Sequence, residues 1–238
     1  MKLSIIIPAY NEEKRLAHTI KGIIRFLKAN HLDYELILVD DGSTDSTHAQ
    51  LKKFVDGTDS VKLLHYKKNR GKGFAVRTGV LASSGEYVFF MDADGSTPID
   101  ELSKLLKELI RGTPVVIGSR HLPTSSINKN QPLYRRFFGR LANFIIRLLL
   151  LPGIYDSQCG FKGFSRDAAI SLFTILKTYR WGFDFEILTR ARRLNYLIVE
   201  VPVSWFHQEG SRMSPIKSFI KTFYDLIYVL IVVRILKR

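Results

Sequence analysis

Five short apolar runs are each followed by a polar cluster or a glycine turn: LSIII from Leu3, ELILV from Glu35, VKLLHY from Val61, EYVFFM from Glu86 and PVVIGS from Pro114. Segments of helical spacing stand between them. Strand and helix patterns that alternate in this way point to an α/β fold, with a mostly parallel sheet flanked by helices. Asn11 is expected to cap the first helix, whose first turn would hold Glu12 and Glu13, where negative charge suits the helix dipole. A second helix follows Ser46, a third lies in GKGFAVRTGVLASSG with Gly85 as its stop, and a fourth, PIDELSKLLKELIRG, opens on Pro98.

The polar clusters all fall at strand ends: PAYNEE after the first, DDGSTD after the second, DADGST after the fourth and GSR after the fifth. In a parallel sheet these carboxyl ends line one edge, where open α/β folds bind ligands. Turn chemistry accounts for DDGSTD equally well. It accounts less well for Asp92 and Asp94, one residue apart at the mouth of a buried strand, because neighbouring carboxylates repel. A divalent cation relieves that repulsion, and hard oxygen ligands suit Mn2+ or Mg2+, which complete their shells with water and substrate phosphates.

A length of 238 residues suits one α/β domain, or one domain with an appendage. The formal charge of +14 favours anionic partners: phosphorylated substrates, anionic lipid or nucleic acid. Cys159 is the single cysteine, which excludes an internal disulfide framework and a cysteine-based zinc site. The opening MKLSIIIPAYNEE has too short an apolar run for a signal peptide. The apolar stretch LIYVLIVVRIL, Leu226 to Leu236, falls short of the roughly 20 residues that cross a bilayer.

Beyond Arg120, a polar stretch, HLPTSSINKNQP, reads as a loop. After it, LYRRFFGRLANFIIRLLLLPG mixes apolar residues with Arg135, Arg136, Arg140 and Arg147, and IKSFIKTFYDLIYVLIVVRILKR has the same character. Both are expected to be amphipathic helices in a membrane interface, the alternative being core or oligomer-interface helices. The expected organisation is one domain over residues 1–215, in two halves (1–122 and 123–215), followed by an amphipathic membrane-associated helix over 216–238.

The motifs SIIIPAYNEE, VDDGSTD, NRGKGFAVRTG, MDADGS and GSR, in that order, resemble the family-2 glycosyltransferases of GT-A fold that use nucleotide sugars. The later DSQCGFKGFSRDAA, RWGFDFEIL and VPVSWFHQEGSR are similar to the dolichyl-phosphate glucose and mannose synthases, the glucose type more closely. The resemblance runs from about Leu3 to Arg212. It implies transfer of a hexose, glucose before mannose, from UDP-glucose or GDP-mannose to dolichyl or polyprenyl phosphate. The transfer would invert the anomeric carbon, at the cytoplasmic face of a membrane that the protein touches without spanning.

Carried over position by position, the resemblance places Pro8, Tyr10 and Glu12 beside the base and ribose, with Asp40 or Asp41 at the base edge. Lys72 joins this donor set. Asp92 and Asp94 become the nucleotide-and-metal motif, with Asp94 the surer metal ligand, and Arg120 meets donor phosphate or sugar. In the mannose type a glutamine two residues past the second Asp helps hold the metal, whereas Ser96 stands here.

A lipid phosphate is anionic at neutral pH and attacks without the strong base that a sugar hydroxyl needs. Arg135, Arg136, Lys162 and Arg212 are the expected clamp for it, and Asp156 is expected on the acceptor side, orienting Lys162 or steadying charge on the sugar. Helix capping explains Asp184 about as well as function does. The GKG at Gly71 to Gly73 matches neither phosphate-loop nor dinucleotide patterns, so it reads as a turn or as close backbone approach to the donor.

Three rivals stand beside this reading. FFMDADGS also resembles the first motif of haloacid-dehalogenase phosphatases, but three strand units precede it and no later GDxxxD follows. A glycosyltransferase acting on a saccharide hydroxyl is the second. A nucleic-acid binder is the third, and the sequence contains no helix-turn-helix, zinc-finger or RNA-recognition motif.

Overall fold

The computed structural model describes residues 1–56, 58–128, 133–207 and 215–236. In chain order the elements are β1 (Lys2–Ala9), α1 (Leu16–Ala29), β2 (Asp33–Asp40), α2 (Thr47–Val55), β3 (Val61–His65), α3 (Lys72–Leu81) and β4 (Tyr87–Met91). A 3-10 turn (Ile99–Glu101) leads into α4 (Leu102–Ile110), followed by β5 (Val115–Ser119), β6 (Ser126–Asn128), α5 (Leu133–Leu149), β7 (Phe161–Ser165) and α6 (Arg166–Thr174). Then come α7 (Phe183–Arg193), β8 (Ile198–Pro202), β9 (Ser204–Phe206) and α8 (Pro215–Tyr228), which continues as a π-helical segment, Val229–Ile235.

Seven strands form one sheet in the order β3-β2-β1-β4-β7-β5-β8, and β6 pairs with β9 outside it. Neighbours run parallel except at β7, which is antiparallel to both β4 and β5. The expectation of a mostly parallel sheet is met. β7 begins opposite Met91 and therefore enters from the carboxyl edge, so it must run against the strands beside it. Strands β7 and β8, from residues 123–215, complete the sheet begun by residues 1–122.

Both faces of the sheet are covered, and this is why the central strands are almost continuously apolar. In β1, Leu3, Ile5 and Ile7 pack under α1 and α4, while Ile6 points the other way into the layer of α3, α6 and α7. Close approach of α3 to the sheet depends on Gly79, where a side chain would overlap Ile6 and crowd Val39. Chain order reverses between β1 and β4, and their carboxyl ends flank the crevice that such a switch creates.

One local expectation is corrected. Helix α1 starts at Leu16, not at Asn11, and no acidic residue lies in its first turn. Asn11 takes a left-handed φ of 55° and its amide accepts from the Thr44 N–H, so it joins the loops after β1 and β2 instead of capping a helix. The C-terminal segment is also partly core: Leu226, Val229 and Val233 are buried in the same cluster as residues of α7. No helix among the described residues is long and apolar enough to cross a membrane.

Candidate active site

A cleft of about 500 Å3 opens at the β1–β4 switch, lined by the end of β1 and the loop after it (Pro8 to Glu12), by Asp41 and by the start of α3. Asp92 and Asp94 line it from the loop after β4, and Arg180 and Trp181 close its far side.

The loop after β1 is held by hydroxyls from the loop after β2. The N–H of Asn11 donates to Ser43 Oγ at 3.0 Å, and the N–H of Glu12 donates to Thr47 Oγ1 at 2.8 Å. Arg15 forks onto Glu12, its Nε and Nη2 donating at 2.9 and 2.6 Å. Burial nevertheless pushes the Glu12 carboxyl above its ordinary value, against the lowering effect of Arg15.

The two carboxylates of DADG are held differently. Lys72 Nζ sits 2.5 Å from Asp92 Oδ1, and the Asp92 N–H donates to the Gly160 carbonyl at 3.1 Å. Burial opposes the charge on Lys72, but Asp92 and then Asp184 outweigh it and raise its pKa. Asp94 accepts from the Ser96 N–H at 2.9 Å, and Arg15 Nη1 stands 4.0 Å from its other oxygen. Burial, reinforced by Asp92, pushes the Asp94 carboxyl up, so its negative charge is under-compensated. The Ser96 carbonyl accepts from the Phe206 N–H at 2.8 Å, which ties this turn to β9.

Asp40 and Asp41 face different surroundings. Asp41 lines the cleft, but its oxygens accept from the N–H groups of Arg70 (2.8 Å) and Gly71 (2.9 Å) and from Asn69 Nδ2 (2.8 Å). It therefore shapes the loop before α3. Asp40 is not among the cleft-lining residues; its carboxylate is fully buried against His48 and His65. Of the two residues expected at the base edge, Asp41 is the one that lines the cleft.

None of the expected acceptor residues whose side chains are described lines the cleft. Lys162 is completely buried, its ammonium donating to the Cys159 carbonyl at 2.6 Å and to Asp184, so it offers no surface clamp for a phosphate. Its partner is Asp184 and not Asp156. Asp156 is itself buried and accepts from Nε (2.7 Å), Nη2 (2.9 Å) and the backbone N–H (2.9 Å) of Arg120. Burial alone would raise the Asp156 carboxyl, but the Arg120 guanidinium holds it down at about 2.

Arg120 is not among the cleft-lining residues: Asp156 fixes its fork, and its guanidinium lies 5.7 Å from the centre of the Trp205 ring. Arg212 lies outside the described residues, as do the side chains of Arg135 and Arg136 at the start of α5.

The N-terminus of α3 is not an open phosphate cradle, because the N–H groups of Gly73 and Phe74 donate to the carbonyls of Arg180 and Tyr179 at 3.3 and 3.1 Å. Cys159 is buried, and burial pushes its thiol up to about 11.

Sequence reasoning missed Asn69, Arg180 and Trp181 as lining residues. Their signal was present, since NRGKG and RWGF are the turns on either side of this contact, but only the fold brings turns so far apart in the chain together.

The model of glycosyl transferase family 2 matches residues 4–173. A dolichyl-phosphate beta-glucosyltransferase of Dictyostelium discoideum is 37% identical over 239 residues, covering 95% of this chain and 73% of the relative. One of Mus musculus is 38% identical over 242 residues, covering 96% and 74%. Among solved structures, glucosyl-3-phosphoglycerate synthase of Mycobacterium tuberculosis superposes with a TM-score of 0.71 at 20% identity, over 96% of this chain and 80% of that one. A crystal of that enzyme in complex with Mn2+, uridine-diphosphate and phosphoglyceric acid gives 0.70 at 21%, over 97% and 78%. Motifs at the strand ends, fold and relatives agree, and the chain belongs to glycosyl transferase family 2.

Proposed function

We propose that the protein transfers glucose from UDP-glucose to dolichyl or a related polyprenyl phosphate, inverting the anomeric carbon, while bound to a membrane surface. The reading is carried by one observation: relatives at 37–38% identity over nearly the whole chain are dolichyl-phosphate beta-glucosyltransferases. The cleft supports it. Pro8, Tyr10 and Asp41 form a shelf for a base and ribose, and Lys72, Asp92, Asp94 and Arg180 gather charge where a diphosphate would lie.

Asp94 and Asp92 fit a divalent cation, Mn2+ or Mg2+. Both offer hard oxygen donors in the cleft, and the raised pKa of Asp94 marks a carboxylate short of positive charge. Bound there, the ion would neutralise charge developing on the nucleotide as it leaves. Lys72 holds Asp92 in place and adds a fixed positive charge beside it. No histidine lines the cleft among the described residues, which suits an acceptor phosphate that is already ionised. Arg120, fixed by Asp156 outside the cleft lining, would act on the donor phosphates through its charge and not by contact. The phosphatase reading finds no support in the family assignment.

The acceptor is oily, and the protein exposes apolar side chains on helices that pack against each other. Leu141, Phe144 and Leu148 recur at helical spacing on α5, and Phe223, Tyr224, Ile227 and Ile231 do so on α8 and its continuation. We assign this face to the lipid interface, at the cytoplasmic side of the membrane.

The test is incubation with Mn2+ or Mg2+, polyprenyl phosphate and labelled UDP-glucose or GDP-mannose, following organic-extractable label. Label from UDP-glucose supports the assignment. Label only from GDP-mannose reassigns the donor, and transfer only to a saccharide hydroxyl overturns the acceptor.

A further inference from the structure

Behind the donor cleft, Asp40, His48 and His65 converge from three elements: the end of β2, the first turn of α2 and the end of β3. Nδ1 of His48 and Nδ1 of His65 each lie 3.0 Å from the same oxygen, Oδ2 of Asp40. The imidazole centroids are 4.2 Å apart, with their planes inclined at 46°. Asp40 Oδ1 is already fixed by the Ser43 N–H at 2.9 Å, so the carboxylate cannot turn away from the two rings.

We propose that Asp40, His48 and His65 form a second metal site, selective for a borderline transition-metal ion such as Zn2+ or Co2+ and separate from the hard-cation site at Asp92 and Asp94. Two imidazoles and one carboxylate are the donor set that such ions prefer, whereas Mg2+ and Mn2+ favour oxygen. The three candidate ligand atoms all lie within 4.8 Å of one another. Tetrahedral coordination with bonds of about 2.0–2.1 Å would place donors roughly 3.3 Å apart. Each nitrogen therefore shifts from the Asp40 oxygen by only a few tenths of an ångström. Three protein ligands leave a fourth position for water. The ion can reach them because the His48 and His65 side chains are 31% and 38% exposed, although Asp40 is fully covered.

Hydrogen bonding alone is the competing account. It requires both rings to direct a proton at one oxygen while lying against each other, two like-oriented N–H dipoles at short range. One divalent ion replaces both protons. The next residue, Asp41, anchors the loop of residues 69–71 beside the cleft, so an ion here would pin α2 and β3 to the strand end that carries it.

The experiment uses the full chain, free of any affinity tag and stripped with chelator, titrated with Co2+ or Zn2+ in a large excess of Mg2+ to fill the Asp92–Asp94 site. One equivalent of Co2+ should give a visible ligand-field spectrum, Zn2+ should displace it, and Zn2+ should raise Tm. His48→Gln and His65→Gln each keep an N–H donor toward Asp40 yet remove an imidazole. Each should weaken binding by about 10- to 100-fold or more, at least what loss of an outer partner costs. The proposal is overturned if the wild type binds neither ion, or if the double variant His48→Gln/His65→Gln binds as tightly as the wild type.

Discussion

Lys72 and Asp92 form an ion pair of 2.5 Å at the floor of the cleft, and it divides the work of the two DADG carboxylates. Asp92 is neutralised from within the protein. Asp94, with Arg15 at 4.0 Å and a pKa raised by burial and by Asp92, is the one of the two that most lacks a counter-charge.

Asp94→Asn should therefore keep the volume and the contact with the Ser96 N–H but remove the charge that holds the ion. Turnover is expected to fall by at least about 100-fold, the scale of losing one preorganised electrostatic group. Circular dichroism and Tm should stay near wild type, and turnover should no longer respond to added Mn2+ or Mg2+. An unchanged metal response would remove Asp94 from the site.

Gly160 offers a subtler probe. A Cβ at this position would collide with the carboxylate of Asp92, which lies directly against it. Gly160→Ala should displace Asp92 from Lys72 and lower turnover by roughly tenfold or more, as small misplacements at reacting centres do. The measurement is kcat and KM for the sugar nucleotide beside a thermal melt; loss of turnover only in proportion to lost folded protein would contradict it.

The Arg120–Asp156 pair should be visible in stability. Asp156→Asn leaves the Arg120 guanidinium, which is 24% exposed, without its counter-charge, at a cost below the about 3–5 kcal/mol of a fully buried pair. The Asp156 carboxyl is depressed to about 2 in the folded state. Its contribution is thus complete above the ordinary carboxylate value near 4 and is lost as pH falls toward about 2. Urea unfolding of wild type and variant should show their difference holding above about pH 4 and shrinking as pH falls from there toward 2. Glu35, depressed to about 2 against its own burial by Lys62, Ser4 and Ser84, acts in both proteins and cancels from the comparison.

The exposed face of α5 and α8 predicts membrane behaviour. Phe144, Leu148 and Tyr224 are 60%, 65% and 69% exposed. Replacing these three and Ile231 with glutamate should lower binding to anionic vesicles by about 100-fold or more, because each large apolar side chain contributes on the order of 1.5–3 kcal/mol when fully buried in an apolar phase. Flotation with vesicles checks it. Tm should change little, since none of the four is a core residue, and unaltered flotation would assign the face elsewhere.

The apolar runs and their spacing determined by themselves that β1 to β5 alternate with helices and that PAYNEE, DDGSTD and DADG share one edge. A strand buried on both faces must be apolar throughout, and its polar residues collect at its end. Local pattern also marked the Asp92–Asp94 turn, because two carboxylates that repel each other at a strand mouth call for a compensating positive charge. It did not tell Asp40 from Asp41: adjacent residues at the end of a strand point to opposite sides, and which side holds the cleft depends on where β4 and α3 pack.

Nor did it reveal that Lys162 is buried. Its strand β7 is inserted between β4 and β5, where the ammonium meets Asp184 from a helix 22 residues away. Pairings between distant segments decided the roles of Arg120, Asp156, Lys162 and the two histidines, because a charged side chain taken out of water needs a partner, and only the tertiary fold supplies one.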